Sequence, residues 1–261
     1  MASISLTQIT DLHLGDHSEF RLGGVPTLAS FEAVLRAVEE QGRGADRLLL
    51  TGDLASDCQP HAYQQLNRIL RHQQKQAIWL PGNHDDPALM REHLVDYPPT
   101  PYVELGCWGI LTLDSSVPDQ PGGHIAEVQL QQVQRSLKAL EDKFILVAMH
   151  HSPVPVGCAW LDRQQIDNQQ QLYQLLQSQS NIKAVVTGHV HQQFEGYWGN
   201  LPIYCTPSSC VQFKQQSFDF ALSEQPPAYR WFNLHDDGSL ETDVTFVENF
   251  TPRPDPNSAS Y

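Results

Sequence analysis

Short apolar runs alternate with amphipathic segments as far as about residue 190. The apolar runs, such as 144–149, have the length and composition of buried strands. The amphipathic segments have the spacing of helices, and the one at 27–41 is followed by Gly42 and Gly44, which close it. Strands are predicted at 4–9, 47–50, 77–80, 103–105, 108–113, 144–149 and 184–187. Helices are predicted at 27–41, 61–75, 127–141 and 168–177, and a further helix opens at Pro87.

After residue 191 the pattern changes to short segments in which apolar and polar residues alternate. These segments are predicted to be antiparallel strands at 193–198, 201–205, 218–222, 229–234 and 240–247. Strands and helices in alternation, followed by further strands, predict the α/β fold class. Because no linker divides the chain, residues 1–250 are predicted to form a single domain. The Pro-, Ser- and Asn-rich segment 251–261 is predicted to be a mobile tail.

Charge and cysteine content narrow the classes of function. The chain has 16 Lys+Arg against 30 Asp+Glu and a formal net charge of −14, without a basic stripe, so nucleic acid polymers are excluded as partners. No apolar run approaches the roughly 18 residues of a membrane helix, and the N-terminus does not resemble a signal peptide. The five cysteines form no C-x-x-C pair, which favours reduced thiols. These features predict a cytoplasmic protein that has no membrane partner.

Polar residues of metal-binding type follow the predicted strands at their carboxyl ends, where open α/β sheets place ligand-binding groups. They are Asp11 and His13, then Asp53, then Asn83 and His84, then His150, and finally His189 and His191. Residues two apart in an extended segment point to the same side, so D-x-H and H-x-H are each predicted to face one site. Of the adjacent His150 and His151, only one can point into that site. Singly, each turn could also be an ordinary hydrogen-bonded turn, and the recurrence of such turns at several strand ends favours a site.

Carboxylate, amide and imidazole ligands suit borderline divalent ions such as Mn²⁺, Fe²⁺ and Zn²⁺. The ligand set fills two adjacent sites only if one carboxylate is shared, and Asp53 is the candidate for the shared ligand. Two ions about 3.5–4 Å apart activate a water and clamp a phosphoryl group. Asp57 is predicted to be structural, either capping a helix or orienting a ligand.

This ordered set resembles the calcineurin-like metallophosphoesterase family, whose pattern is D-x-H, G-D-x-x-x-D, G-N-H-[DE], H and G-H-x-H. All five motifs are present in order between Asp11 and His191. Within that family the chain is most similar to the class III cyclic-nucleotide phosphodiesterases of bacteria, which hydrolyse 3′,5′-cyclic AMP. The segments 79–85, 157–162 and 206–214 carry the rest of this similarity.

The resemblance implies a four-layer α/β/β/α sandwich, with two mixed sheets face to face and helices outside. It also implies two divalent metal ions, with Fe²⁺ or Mn²⁺ favoured and Zn²⁺ and Co²⁺ as alternatives. The implied ligands are Asp11, His13, Asp53 and His191 for the first ion, and Asp53, Asn83, His150 and His189 for the second. His84 is implied to be catalytic without binding a metal. The substrate-binding set is implied to be His13, Asn83, His84 and His191.

The implied reaction is in-line attack by a metal-bridging hydroxide on phosphorus, which converts cyclic AMP to 5′-AMP. His84, protonated near Asp57 or Asp86, would stabilise the developing charge or protonate the 3′-oxygen. An enzyme of the same fold that acts on another small phosphate ester, such as a glycerophosphodiester, needs the same ions and stays an alternative. A binding scaffold that has lost catalysis would lack some of these residues, whereas all are present.

The part of the substrate beyond the phosphate is expected to contact three loops, at 17–27, 154–165 and 208–216. The metal ligands cannot define that part, because enzymes of this fold that act on different phosphate esters need the same ions. The sequence leaves the oligomeric state open, a homodimer included.

Overall fold

The computed structural model describes residues 3–42, 47–255 and 258. Its strands are β1 (Ser3–Ile9), β2 (Arg21–Leu22), β3 (Val25–Pro26), β4 (Arg47–Thr51), β5 (Ala77–Leu80), β6 (Tyr102–Leu105), β7 (Trp108–Thr112), β8 (Phe144–Ala148), β9 (Ile182–Thr187), β10 (Phe194–Trp198), β11 (Leu201–Cys205), β12 (Gln212–Phe213), β13 (Leu222–Ser223), β14 (Ala228–His235) and β15 (Leu240–Phe246). Its helices are α1 (Thr27–Glu40), α2 (Pro60–His72), α3 (Pro87–His93), α4 (Glu127–Ala139) and α5 (Gln169–Leu176). The prediction that Gly44 helps to close the first helix lies outside the described residues.

Two mixed sheets form the framework. The first has the order β15-β14-β1-β4-β5, in which β1, β4 and β5 are parallel and β14 and β15 are antiparallel to their neighbours. The second has the order β10-β11-β9-β8-β7-β6, in which the four central strands are parallel and both edge strands are antiparallel. Because β14 pairs with β1, the C-terminal segment completes the sheet that the N-terminal strand begins. This pairing supports a single domain over 1–250, which stays a prediction.

Three layers of apolar contacts hold the sheets and helices together. Between the sheets, Leu6 and Leu49 of the first pack with Trp108, Leu146 and Val186 of the second, and all five side chains are fully buried. The outer face of the first sheet packs against α1, α2 and α3. The outer face of the second packs against α4 and α5. The four-layer α/β/β/α sandwich is therefore confirmed.

Local signals place the helix ends to within a few residues. Asp86 caps α3, which begins at Pro87, and its carboxylate accepts hydrogen bonds from two backbone N–H groups of the first turn at 2.7 and 3.1 Å. Helix α2 ends at His72, three residues before the predicted end, because Gln74 has a left-handed φ of 53°. None of the helices in the described ranges is long and apolar enough to cross a membrane.

One predicted strand, 218–222, is wrong. Only Leu222 of that segment lies in a strand, β13, which pairs with β12. Phe218 is 73% exposed, so the alternation there does not mark a buried face. The two-residue strands β2, β3 and β12 were not predicted, because a periodicity of two cannot be recognised over so short a length.

The predicted mobile tail is described only in part, since 256–257 and 259–261 lie outside the described residues. In the described part, Pro252 is buried and the backbone N–H of Asp255 donates to the carbonyl of Gly23 at 2.8 Å. These contacts place the start of the tail against the turn between β2 and β3. Its mobility stays a prediction.

A buried polar network joins the two sheets beneath the ends of the central strands. Gln8 donates to the Thr51 hydroxyl at 2.8 Å and accepts from the Thr206 hydroxyl at 2.7 Å. Arg230 in turn donates to Thr206 at 3.3 Å and to Glu195 at 3.0 Å. Because a buried polar group that loses its partner is costly, this network favours one relative placement of the sheets.

Candidate metal centre

The sequence-predicted site residues meet at one end of the sandwich. The first sheet contributes the turns after β1, β4 and β5, and the second contributes the turns after β8 and β9. Fully or almost fully buried there are Asp11, His13, Asp53, His150, His189 and His191, whereas Asn83 and His84 are half-buried. The structure therefore brings all of the candidate residues into one cluster, as their positions at strand ends predict.

The turns that carry these residues are not extended. Asp11, His13, Asp53, His189 and His191 all have positive φ, between 47° and 68°. The prediction that each i, i+2 pair lies in an extended segment is therefore wrong. A left-handed backbone costs a non-glycine residue about 1–2 kcal/mol, so its repeated use in one cluster points to a functional requirement. The turns also brace one another, since the backbone N–H of His13 donates to the carbonyl of Asp53 at 2.9 Å.

One group of converging ligand atoms comes from Asp11, His13 and His191. Nε2 of His191 lies 3.3 Å from Oδ1 of Asp11. The same nitrogen lies 3.3 Å from Nε2 of His13. A carboxylate and two imidazoles thus face one point, which is a suitable arrangement for a divalent ion.

A second group is built around His150. Its Nε2 lies 3.1 Å from Oδ1 of Asn83 and 3.2 Å from Oδ2 of Asp53. The ring of His189 packs against that of His150, with 5.1 Å between the ring centroids. Oδ2 of Asp53 is also 3.8 Å from Nε2 of His13 in the first group. Asp53 therefore occupies the position that a ligand shared by two ions would need.

Backbone carbonyls orient two of the buried rings. Nδ1 of His150 donates to the carbonyl of Thr51 at 2.8 Å. Nδ1 of His191 donates to the carbonyl of Val211 at 2.7 Å. A hydrogen bond at one ring nitrogen fixes the tautomer and leaves the other nitrogen as a ligand, as is usual for histidines that bind metals.

The ring of His84 contacts the backbone and a neighbouring ring of the site, and its predicted protonation near Asp57 or Asp86 stays a prediction. Its Nδ1 donates to the carbonyl of Ser56 at 3.0 Å, and its ring meets that of His13 edge-on at 5.1 Å. Of the two predicted carboxylate partners, Asp86 caps α3 and Asp57 is exposed. Helix α2 begins without a side-chain cap, so of the two roles predicted for Asp57, capping a helix is wrong, whereas orienting a ligand stays a prediction.

Asp85 is a functional residue to which the sequence reasoning gave no role. Its buried carboxylate accepts hydrogen bonds from the backbone N–H groups of Leu54 and Ala55 at 3.0–3.1 Å and of Gly82 at 3.0 Å. It also accepts one from the Tyr63 hydroxyl at 3.0 Å. Burial, and next the charge of Asp53, raise the pKa of Asp85 to about 6. Asp85 ties together the turns that carry Asp53 and Asn83, and its place at the end of G-N-H-D was the signal that could have identified it.

Burial and neighbouring charge set the protonation of the buried histidines. Burial lowers the pKa of His13 and of His189 well below the usual value, so both rings are neutral, as metal ligands must be. Burial also disfavours the charged form of His150, but the Asp53 carboxylate outweighs it and raises the pKa of His150 to about 9. Burial raises the pKa of Asp53, but the surrounding histidines, His150 first, outweigh it and hold that pKa well below its usual range.

The donor set fits divalent cations. Both ring nitrogens of His189 are buried without a hydrogen-bond partner in the described part of the chain. Such atoms are costly unless they bind something, and a neutral imidazole nitrogen is a good ligand for a borderline metal. The predicted ligands Asp11, His13, Asp53, Asn83, His150, His189 and His191 could hold two ions. Ligand atoms also converge within 4.8 Å for His84, with His13 and Asp53, and for His151, with His150 and His189.

The three loops expected to contact the rest of the substrate pack together beside His191. Their apolar side chains, Leu22, Cys158 and Phe213 among them, belong to one buried cluster. The ring of Phe213 stacks on that of His191, with 4.1 Å between centroids and 9° between planes. The loops are therefore anchored at the candidate metal centre, while their part in specificity stays a prediction.

Comparison with known proteins agrees with this geometry. The family model for calcineurin-like phosphoesterase matches residues 4–193. The 3′,5′-cyclic adenosine monophosphate phosphodiesterase CpdA of Escherichia coli is 36% identical over 263 residues, which cover 100% of this chain and 96% of that protein. The 3′,5′-cyclic-nucleotide phosphodiesterase of Nostoc sp. is 36% identical over 251 residues, which cover 95% of this chain and 94% of that protein.

Solved structures show the same fold at much lower identity. A dimetal phosphatase from Danio rerio has a TM-score of 0.63 and 15% identity, over 94% of this chain and 99% of that one. TT1561 of Thermus thermophilus has a TM-score of 0.59 and 17% identity, over 95% of this chain and 100% of that one. The family itself is shown by the match over 4–193 together with the full-length relatives. The chain belongs to the calcineurin-like phosphoesterase family.

Proposed function

We propose that the chain is a dinuclear-metal phosphodiesterase that hydrolyses 3′,5′-cyclic AMP to 5′-AMP. The observation that carries the proposal is Asp53, whose carboxylate approaches both groups of histidines, at 3.8 Å from His13 and 3.2 Å from His150. The choice of cyclic AMP is supported by relatives of that name that align with the whole chain. Its family implies divalent metal ions, and the buried donor set fits them.

The proposed ligands divide into two sets that share Asp53. They are Asp11, His13, Asp53 and His191 for the first ion, and Asp53, Asn83, His150 and His189 for the second. Fe²⁺ or Mn²⁺ is proposed for both, and Zn²⁺ and Co²⁺ suit the same ligands. When bound, two such ions polarise the phosphate oxygens and lower the pKa of a water for attack on phosphorus.

The chain's own residues are proposed to position the phosphate and to supply a proton. In the reaction a water loses a proton to solvent as its oxygen adds to phosphorus, the bond from phosphorus to the 3′-oxygen breaks, and the 3′-oxygen takes up a proton. His84 is proposed to give that proton from Nε2, because the Ser56 carbonyl already engages Nδ1. His13, Asn83 and His191 are proposed to contact the phosphate as well.

Replacing His84 by alanine is expected to lower kcat for cyclic AMP by about 10²–10⁴-fold, the usual contribution of a general acid, while both ions stay bound. The measurements are kcat and the number of ions per chain by atomic emission. His72→Ala, which removes an exposed histidine at the end of α2, is the matched control and should behave as the wild type. Loss of an ion from the His84→Ala protein would show that His84 is a ligand and would contradict its proposed role.

The substrate is tested by kcat/KM of the Mn²⁺-loaded protein on cyclic AMP, bis-p-nitrophenyl phosphate, p-nitrophenyl phosphate and glycerophosphocholine. Strong preference for cyclic AMP, abolished by EDTA and restored by Mn²⁺, is the expected result. Turnover of the other esters with little turnover of cyclic AMP would keep the metal chemistry and overturn the proposed substrate. No turnover of any of them, with both ions bound, would overturn the enzymatic function.

A further inference from the structure

Three buried side chains form a row across the carboxyl ends of the second sheet. Ser115 follows β7, His151 follows β8 and His189 follows β9, and these three strands are parallel neighbours. We propose that His151 is a positioning residue, which holds the imidazole of His189 in the orientation needed to bind the second ion. This inference rests on the metal centre of the proposed function, and not on the identity of the substrate.

His189 lacks the orienting contact that three other rings of the site have. His84, His150 and His191 each have Nδ1 against a backbone carbonyl, at 2.7–3.0 Å. Both ring nitrogens of His189 are buried without a hydrogen-bond partner in the part of the chain that the structure describes. A hydrogen bond within the described chain therefore cannot fix the rotation of this ring, and packing has to do so.

The ring of His151 provides that packing. Its centroid lies 4.7 Å from that of His189, with 49° between the two planes. It also meets the ring of His150 edge-on at 4.9 Å. His151 therefore contacts both histidines proposed to bind the second ion, and rotation of the His189 ring toward it is blocked.

The chain fixes the ring of His151 firmly. Its Nε2 donates to the carbonyl of Pro121 at 3.2 Å, and its Nδ1 accepts from the Ser115 hydroxyl, 2.8 Å away. The same hydroxyl oxygen accepts from the backbone N–H of His151 at 3.3 Å. With both nitrogens engaged, His151 supports the ligands and is not itself one.

Gly123 closes the remaining side of this ring. A Cβ atom at Gly123 would lie 2.7 Å from two atoms of the His151 ring, closer than such contacts allow. The glycine cannot easily move away, because its backbone N–H donates to Gln165 at 3.3 Å and its carbonyl accepts from Asp167 at 2.9 Å. The loop that contains Ser115, Pro121 and Gly123 thus holds the His151 ring in one orientation.

The test is the affinity of each Mn²⁺ site, measured by calorimetry on the full chain, with Asn83→Ala used to identify the second site. His151→Ala is expected to weaken that site by about 10–100-fold, the usual effect of losing an outer contact of a metal ligand, and to leave the first site within about twofold. Ser115→Ala should weaken the same site by a smaller factor. Ser136→Ala, which removes another buried serine hydroxyl that accepts from Gln132 in α4, is the matched control and should change neither site.

A general loss of structure is distinguished by the Tm of each variant in EDTA. A positioning role is supported if the Tm of Ser115→Ala stays near that of Ser136→Ala while the second site alone weakens. Unchanged affinity at both sites in His151→Ala, or an equal loss at both sites with a large fall in Tm, would overturn the inference. A wild-type chain that binds two Mn²⁺ without hydrolysing cyclic AMP would overturn the proposed substrate. The comparison of Mn²⁺ affinities among the variants would still test the role of His151.

Discussion

Replacing Asp53 by asparagine is expected to lower kcat for cyclic AMP by on the order of 10³-fold or more. Asparagine has nearly the same volume, so the change removes one negative charge and one ligand oxygen rather than packing. The lost oxygen matters because the Asp53 carboxylate approaches both His13 and His150. The other oxygen of this carboxylate, Oδ1, accepts a hydrogen bond from the backbone N–H of His84 at 2.9 Å.

Asp57→Asn is the control for this experiment. Asp57 is four residues further along the same G-D-x-x-x-D motif, but it is exposed. Its replacement changes the net charge by the same amount, so kcat and the number of bound ions should stay within about twofold of the wild type. A wild-type rate in Asp53→Asn at full metal content would contradict the shared-ligand assignment.

Replacing Asp85 by alanine is expected to lower the free energy of unfolding by about 3–5 kcal/mol. The substitution leaves three buried backbone N–H groups and the Tyr63 hydroxyl without the carboxylate that accepts from all of them. Since those groups lie on the turns that present Asp53 and Asn83, the affinity for Mn²⁺ should fall as well. The measurements are urea unfolding in the presence of EDTA and calorimetric titration with Mn²⁺.

The neighbouring Asp86 provides the comparison for Asp85. Asp86 also accepts backbone N–H groups, but only those of the first turn of α3. Asp86→Ala should therefore cost about 1 kcal/mol, as is usual for a helix cap. If Asp85→Ala were no more destabilising than Asp86→Ala, Asp85 would not be the link between the two turns.

Much of the candidate site could be predicted because its residues follow strand ends, and parallel strands bring their carboxyl ends together. The backbone conformation of the turns could not be predicted. A spacing of two residues places both side chains on one side only in an extended chain, whereas His13 and His191 have a left-handed backbone conformation. Asp85 and His151 act through contacts with residues distant in sequence, such as Leu54 and Ser115. The G-N-H-D motif marks the position of Asp85, but no local pattern records which groups either residue contacts.

The fold could be predicted where burial determines the pattern. Apolar runs such as β8 and β9 are buried on both faces, and these two strands lie in the centre of the second sheet. The prediction failed at 218–222, because alternation there belongs to an exposed segment around Phe218. Contacts with the rest of the chain decide such cases, and the sequence of the segment does not contain them.

The most direct test of the proposed function is the rate of cyclic AMP hydrolysis by metal-stripped protein as Mn²⁺ is added in known amounts per chain. If two ions sharing Asp53 carry out the reaction, the stripped protein is inactive, and the rate reaches its maximum when two ions per chain are bound. A full rate with one ion bound, or a rate that does not depend on added metal, would contradict the dinuclear centre.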